Sequence, residues 1–499
     1  MPDDVTVIVL AAGGGTRMKS KTMKVLHPIA GRSMIGHVLY AAQALEPARI
    51  VAVVGHQRDE VGPHIEELVP GVVLAVQETQ EGTGHAVRVA WEALPPEART
   101  GTVIVAAGDT PLLEGETLQR FARFHRESAV AMSILTGVVA DPTGYGRIVR
   151  EGEGVAAIVE ERDAGPEHAA INEINSGILA FDAEFLDSAL PRIGKENAKG
   201  EYYLTDAVAI ARGDGRTVAA FVVDDVMQTE GANDRAQLAS LAAEMNRRIL
   251  DRWMRDGVTV VDPASTWVDA DVKLAADVTL LPGVQLYGAT VVDEDAVIGP
   301  DCTLKDVEVG SGARVQRTHG ELAVIGPGAQ VGPFSYLRPG TTLGREGKIG
   351  TFVETKNADI GDGAKVPHLS YVGDATIGEG ANIGAGTIFA NYDGVAKHRT
   401  TIGAYAKTAS NNTFVAPVTI GDGAATGAGS VIRRDVPPGA LAVTSGPQRH
   451  YHEWAQQKRA GTEQAAAAAR ASGETGEGDP SGPDGGTPDP GVGEPPVSG

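Results

Sequence analysis

From Val5 to about residue 230, short apolar runs alternate with stretches whose apolar residues recur at helical spacing. The runs VTVIVLAAG, RIVAVVG, VVLAVQ, GTVIVAAGD and AMSILTGVV read as buried strands, and MIGHVLYAAQAL and HAVRVAWEAL as helices between them. Strands alternating with helices predict a mainly parallel sheet covered on both faces, a Rossmann-like α/β domain expected over residues 1–232. The next stretch lacks proline, keeps apolar residues at helical spacing and stops at Gly257, which predicts a connecting helix over 233–257.

A different period follows. Ile325, Val331, Leu337, Leu343 and Ile349 fall six apart, as do Ile360, Val366 and Val372, then Ile377 and Ile383. Ile402, Thr408, Phe414, Ile420, Thr426 and Ile432 continue the step, and Leu280, Leu286, Val292, Ile298 and Leu304 begin it. Glycine often follows the aliphatic residue, as in Ile349-Gly350 and Ile420-Gly421. A step of six suits neither an α-helix nor a plain strand. It predicts a solenoid of short strands in which the aliphatic residue points inward and small residues let the backbone turn, three hexads to a coil. The pattern resembles the left-handed parallel β-helix of the hexapeptide-repeat acyltransferases, expected over 258–460. Two stretches fit the period poorly, KDVEVGSGARVQRTHGEL and FANYDGVAKHR, and both are expected to be inserted loops.

Composition changes the picture in three places. The net charge of −22 argues against non-specific binding of nucleic acid. No run reaches the roughly 18 to 20 apolar residues of a membrane span, and the single cysteine, Cys302, cannot form an internal disulfide, so a cytoplasmic location is expected. From Gly461 onward there are seven acidic residues and one basic among many Gly, Pro, Ser and Ala, so residues 461–499 are expected to form a disordered acidic tail.

The first strand runs straight into Ala11-Ala12-Gly13-Gly14-Gly15-Thr16-Arg17-Met18. Glycines after a strand let backbone N–H groups approach phosphate oxygens, and an arginine adds positive charge. The loop lacks both the Lys-Ser/Thr of a P-loop and the spacing of a dinucleotide fingerprint. Taken alone, Asp109 in Gly-Asp-Thr-Pro reads as a turn or cap residue as readily as a functional one. LAAGGGTRM followed by Lys24-Val25-Leu26-His27-Pro28, with Gln77, Gly82-Thr83, Gly108-Asp109, Gly146, Glu160, NEINSG and NAKGEYYLTD in order, resembles the nucleotidyltransferases that make sugar nucleotides from sugar 1-phosphates. That resemblance implies that Leu10, Ala11, Ala12, Gly13, Gln77, Gly82, Thr83, Ala107 and Gly108 hold the nucleotide, with Arg17 and Lys24 neutralising phosphate charge. It implies Asp109 and Asn233 as ligands of Mg²⁺, and Gly146, Glu160 and Asn175 as the sugar site. Two departures stand out: Met23 replaces a proline usual before the lysine, and Ala107 replaces a frequent tyrosine.

Polar residues also interrupt the solenoid. YLRPG, GTFVETKNADIG, KVPHLSYVGDA, EGANIGAGTI and the NYDG loop resemble the acetyltransferase half of the bifunctional N-acetylglucosamine-1-phosphate uridylyltransferase / glucosamine-1-phosphate N-acetyltransferase family. The resemblance implies that Arg338 and Lys356 bind the phosphate of glucosamine 1-phosphate, and that Tyr371, Asn382 and Lys397 line the sugar site. Ala385, Asn391, Tyr392, Ser410 and Ala428 map to acetyl-CoA. His368 would be the general base, since histidine can take up a proton near neutral pH. A metal-ligand role for it lacks a second His or Cys at ligand spacing.

The two resemblances together imply a homotrimer of two-activity chains. It acetylates glucosamine 1-phosphate with acetyl-CoA, then transfers UMP from UTP to N-acetylglucosamine 1-phosphate, releasing pyrophosphate. The competing readings are a single-activity nucleotidyltransferase on a structural β-helix and a non-enzymatic scaffold, and both leave the His368 and Asn391-Tyr392 cluster without a purpose.

Overall fold

The structure, a computed structural model, describes residues 4–55, 58–168 and 170–473. Five apolar runs form the expected strands β1 (Val5–Leu10), β2 (Arg49–Val54), β3 (Val73–Val76), β4 (Thr102–Ala107) and β5 (Met132–Val138). Four more complete the sheet: β6 (Arg147–Glu151), β7 (Gly154–Val159), β8 (Glu173–Asp182) and β9 (Val218–Val222). The main path runs β9-β5-β8-β4-β1-β2-β3, with β6 pairing β8 and β7. β1 lies parallel to β2 and β4, whereas β8 is antiparallel to both β4 and β5. Alternation along the strands supplies two cores. Val7, Val9 and Ile104 pack with Leu39, Ile65 and Phe121 on one face, and Ile8, Val51 and Val105 pack with Val87, Trp91 and Phe185 on the other. Helices therefore cover both faces, as the continuous apolar runs require.

The helix Arg235–Arg255 is capped by Asp234, whose side chain accepts from the N–H groups of Ala236 and Gln237. Its Leu241 packs with Ile29 and Met34 of the α/β domain, while Ile249 and Leu250 enter the solenoid core. Past Gly257, at φ 96°, the chain begins to coil.

Strands from Thr259–Val260 to Leu441–Ala442 stack in parallel as a β-helix. Leu280 lies beside Ile298, Leu286 beside Leu304 and Ile325 beside Leu343, each eighteen residues on. The hexad aliphatics therefore fill one continuous apolar column. Each such side chain taken from water contributes roughly 1.5–3 kcal/mol.

The two irregular stretches behave differently. Residues 305–322 were expected to be an inserted loop, but they stay in register: Leu304 pairs with Gly320, and Val309 with Ile325. The coil there is shortened rather than interrupted, and tight corners absorb the missing residues, with Asp306 and Arg317 at positive φ. The stretch 389–399 is a true insertion, for Phe389 pairs with Phe414 and the extra residues leave the coil as a loop.

The segment from Ser445 onward forms a separate unit. It contains helices Trp454–Lys458 and Glu463–Ala471, the second inside the stretch expected to be disordered. The cause is local: EQAAAAARA is dominated by the best helix former, and Thr462 caps the N–H of Ala465. The rest of that stretch, 474–499, lies outside the described residues.

Candidate active sites

The parallel strands β1 and β4 end side by side, where Gly108 N–H donates to the Leu10 carbonyl at 2.9 Å. Sites on such sheets form beyond the carboxyl ends of the strands. A cleft of about 420 Å³ opens there, lined by Leu10, Ala12, Gly13, Lys24, Gln77, Gly82, Thr83, Ala107, Asp109 and Glu160. All ten belong to the residues expected from the sequence. Gln80, Lys199, Glu201 and Tyr203 also line it. Gln80 donates its amide to the Ala12 carbonyl and so braces the glycine loop, a contact no local pattern announces. Lys199, Glu201 and Tyr203 belong to NAKGEYYLTD, to whose residues the resemblance assigns no roles.

The glycine loop turns at Gly15, with φ 54°, and a Cβ there would lie 2.5 Å from the Cβ of Lys24. Glycine lets the loop close over the stem of the lysine side chain. Lys24 itself sits in the short turn Lys24–Leu26. Met23, in place of the family proline, takes φ −56° and is 5 % exposed in the apolar core. Burial thus holds a backbone angle that a proline ring would impose. The Lys24 ammonium pairs with the Asp109 carboxylate and donates to Asn233 Oδ1 at 2.8 Å. Side-chain exposures of 12 and 22 % shelter this ion pair from solvent.

Of the expected sugar-site residues only Glu160 lines the cleft, and Gly146 and Asn175 lie beside it. Asn175 N–H donates to the Gly146 carbonyl at 2.9 Å, and a Cβ on Gly146 would lie 3.6 Å from both Asn175 Cβ and Glu160 Cδ. Burial pushes the Glu160 carboxyl above its ordinary pKa, opposed by a hydrogen bond from Thr205 Oγ1 at 3.3 Å. Gln77 is buried and donates to the Gly82 carbonyl at 3.2 Å, while Thr83 Oγ1 accepts from Leu204 N–H at 3.1 Å. Ala11 and Gly108 are buried behind the lining. Arg17 is exposed, absent from the lining, and forms no ion pair among the described residues.

A second cluster lies on the β-helix. Arg338 donates to Glu354 Oε1 at 2.9 Å. The neighbouring Lys397 lowers the pKa of Lys356, with Arg338 adding to the effect and the Asp374 carboxylate opposing it. Three cations gathered without a full set of carboxylates make a ready anion site. Tyr371 Oη lies 3.5 Å from Asn391 Nδ2, and Asn391 in turn donates to Asp374. The inserted loop closes on itself, with Tyr392 Oη donating to the Gly394 carbonyl at 2.7 Å and a bridge between Tyr392 and Lys397. Asn382 bridges Lys365 and Lys407 on neighbouring coils. One corner of the solenoid carries His368, Ala385, Ser410 and Ala428 on successive coils. There Gly386 N–H donates to His368 O, Asn411 N–H to Ala385 O, and Gly429 N–H to Ser410 O. The His368 side chain is exposed, and Ser370 Oγ holds its carbonyl at 2.7 Å.

An α/β domain with a polar cleft at its strand ends, joined to a parallel β-helix with its own polar cluster, has the layout of a two-site group-transfer enzyme. The MobA-like NTP transferase domain family matches residues 7–164. The chain is 58 % identical over 469 residues to the bifunctional protein GlmU of Kineococcus radiotolerans, covering 94 % of this chain and 95 % of that one. It is 58 % identical over 480 residues to GlmU of Rhodococcus opacus (94 and 96 %) and 56 % identical over 467 residues to GlmU of Corynebacterium glutamicum ATCC 13032 (93 and 96 %). The chain belongs to the bifunctional GlmU family, and it is a bifunctional enzyme of UDP-N-acetylglucosamine biosynthesis with uridylyltransferase and acetyltransferase activities.

Proposed function

We propose that the cleft at the β1 and β4 ends carries uridylyl transfer and that the β-helix cluster carries acetyl transfer, with the order of reaction opposite to the order of the domains. The observation that carries the first assignment is the convergence of Lys24, Asp109 and Asn233. An oxygen of the sugar phosphate attacks the α-phosphorus of UTP, and the bond to the leaving pyrophosphate breaks. Lys24 neutralises charge gathering on the transferred phosphoryl group, with Arg17 reaching in from the exposed loop. Leu10 to Gly13, Gln77, Gly82, Thr83, Ala107 and Gly108 hold the nucleotide, and Gly146, Glu160 and Asn175 hold the sugar.

Asp109 and Asn233 direct one carboxylate and one amide oxygen at a point now taken by an ammonium. That donor set fits Mg²⁺, which is held through one or two carboxylates plus substrate phosphates and water. When bound, the ion supplies charge stabilisation to the phosphoryl oxygens. In the second site Arg338, Lys356 and Lys397 hold the phosphate of glucosamine 1-phosphate, with Tyr371 and Asn382 beside the sugar. His368 takes the proton as the amine attacks the acetyl-CoA thioester and coenzyme A leaves. Ala385, Ser410 and Ala428, small residues on the His368 corner, leave room for coenzyme A beside Asn391 and Tyr392.

The working assembly is a homotrimer. Phe334, Phe352 and Leu369 are 51, 57 and 60 % exposed on successive coils, with φ of 58°, 58° and 48°. Large side chains are rare in that backbone region and cost of order 1–3 kcal/mol each. An apolar stripe held at such cost, with Leu369 next to His368, suits burial against a second and third copy. The reading places the chain in the cytoplasm, where it would meet UTP and acetyl-CoA. Pyrophosphate release titrated with Mg²⁺ tests the metal assignment. Asp109→Asn should need several-fold more Mg²⁺, and an unchanged titration curve would remove Asp109 from the metal site.

A further inference from the structure

We propose that Arg32, Asp269 and Asp271 are positioning residues for uridylyl transfer, because the first coil of the β-helix holds the hairpin that aims Lys24. The proposal rests on the reading of Lys24 given above. The hairpin pairs Pro28–Ile29 with Arg32–Ser33 and begins four residues after Lys24, with buried Val25 and His27 between. Its two-residue tip, Ala30-Gly31, has φ 45° and 81°. Three contacts pin that tip to the solenoid. Ala270 N–H donates to the Ala30 carbonyl at 2.9 Å. The Arg32 guanidinium grips both oxygens of Asp271, with Nε at 3.2 Å from Oδ2. Gly31 lies so close to Asp269 that a Cβ would be 2.6 Å from Oδ2, and that same oxygen is held by Gly288 N–H at 2.9 Å.

Behind the tip, His37 Nε2 bonds the Ile29 carbonyl at 2.8 Å, and Met34 N–H donates to the His27 carbonyl at 3.0 Å. The stretch from Lys24 to the solenoid is therefore tied at every second or third residue.

Asn233, the second partner of Lys24, is tied to the same coil by another route. It precedes the Asp234 cap of the long helix, whose Asn246 amide donates to the Thr266 carbonyl at 2.8 Å and accepts from Val268 N–H at 3.0 Å. The β-helix thus helps to place Lys24 and Asn233, together with the α/β core that buries Met23 and Val25, while Asp109 is placed by the sheet alone. Any shift between the two domains changes the distance from the lysine and amide to the carboxylate. An exposed ion pair adds little to stability. Reacting groups displaced by about 1 Å, however, lose rate by up to about a hundredfold.

The test measures pyrophosphate release and acetyl transfer on the full chain for Asp271→Ala, Gly31→Ala, the charge swap Arg32→Asp with Asp271→Arg, and Lys24→Ala. Asp271→Ala should lower kcat for uridylyl transfer about tenfold while KM for UTP stays within about twofold. Gly31→Ala, which pushes the tip off Asp269, should lower it further. The swap should recover most of the Asp271→Ala loss, and acetyl transfer should be unchanged throughout. Full kcat in Asp271→Ala and Gly31→Ala, with activity gone in Lys24→Ala, overturns the proposal. So does a swap that recovers nothing. Full activity in Lys24→Ala overturns instead the reading on which the proposal rests. A single variant that loses both activities counts as unfolded, and the swapped chain then decides.

Discussion

Gly82 heads the helix Thr83–Glu92 at φ 104° and ψ 176°, a region open essentially to glycine alone. Its carbonyl accepts from the buried Gln77 side chain, so its backbone shapes the nucleotide end of the cleft. Gly82→Ala would add a Cβ 2.6 Å from the Tyr202 carbonyl oxygen and 3.0 Å from the Tyr202 nitrogen. Neither atom can swing away, for Tyr202 N–H donates to Glu81 O and Tyr202 O accepts from Gly84 N–H, both at 2.8 Å. The backbone conformation costs ~1–3 kcal/mol, and the overpacking another ~1–3 kcal/mol. At ~2–4 °C per kcal/mol for a domain of this size, the α/β domain should melt roughly 5–20 °C lower. The displaced carbonyl should also raise KM for UTP several-fold. Scanning calorimetry reads the first effect and a coupled pyrophosphate assay the second, with acetyl transfer as the internal control. A variant that melts with the wild type and keeps its KM would refute the reasoning from backbone geometry.

Three further perturbations have defined outcomes. Burial pushes the His125 imidazole down from 6.5 to about 4, with Nδ1 2.9 Å from Ser133 Oγ. The folded chain keeps this ring neutral while the unfolded chain takes a proton, so up to ~3 kcal/mol is lost as pH falls from 6.5 to about 4. His125→Gln should flatten that part of a denaturation-versus-pH curve, and an equally steep curve would contradict it. Phe389, fully buried and edge-on to Phe414 at 5.3 Å, closes the core just before the inserted loop. Phe389→Ala should cost ~3–5 kcal/mol and abolish acetyl transfer while sparing pyrophosphate release; retained acetyl transfer would detach the loop from the core beneath it. Burial raises the Glu160 pKa, so its charge weighs against the fold above the raised value and not below 4.5. Glu160→Gln should therefore raise the melting temperature near pH ~8 but not near pH ~4, and weaken binding of N-acetylglucosamine 1-phosphate; an equal shift at both pH values would contradict it.

Residues whose role follows from a local period were the most legible. The hexad names its own buried positions, because each coil presents the same inward direction every six residues, and the register from Leu280 to Ile298 follows. The strands β1 to β5 are apolar on both sides and show as continuous runs. Strand β8 does not, because a register shift between Asn175 and Leu179 breaks its alternation. The shortened coils of 305–322 look like an insertion in sequence, since a deletion and an insertion disturb a period alike. The alanine-rich helix Glu463–Ala471 was hidden by the composition of the whole tail. In the cleft, ten of the expected residues share the lining while Arg17 stays outside it, and Gln80 acts through a contact sixty-eight residues away that has no sequence signature. The clamp on Lys24 from the β-helix is likewise a property of two domains meeting, which neither domain's sequence displays alone.

The central claim is that one chain carries two separate chemistries, and it is tested most directly by two single variants assayed for both. His368→Ala should abolish coenzyme A release from acetyl-CoA and glucosamine 1-phosphate while leaving pyrophosphate release from UTP and N-acetylglucosamine 1-phosphate intact, and Asp109→Ala should do the reverse. If either folded variant lost both activities, or kept the one assigned to its own site, the placement of the two reactions would be contradicted.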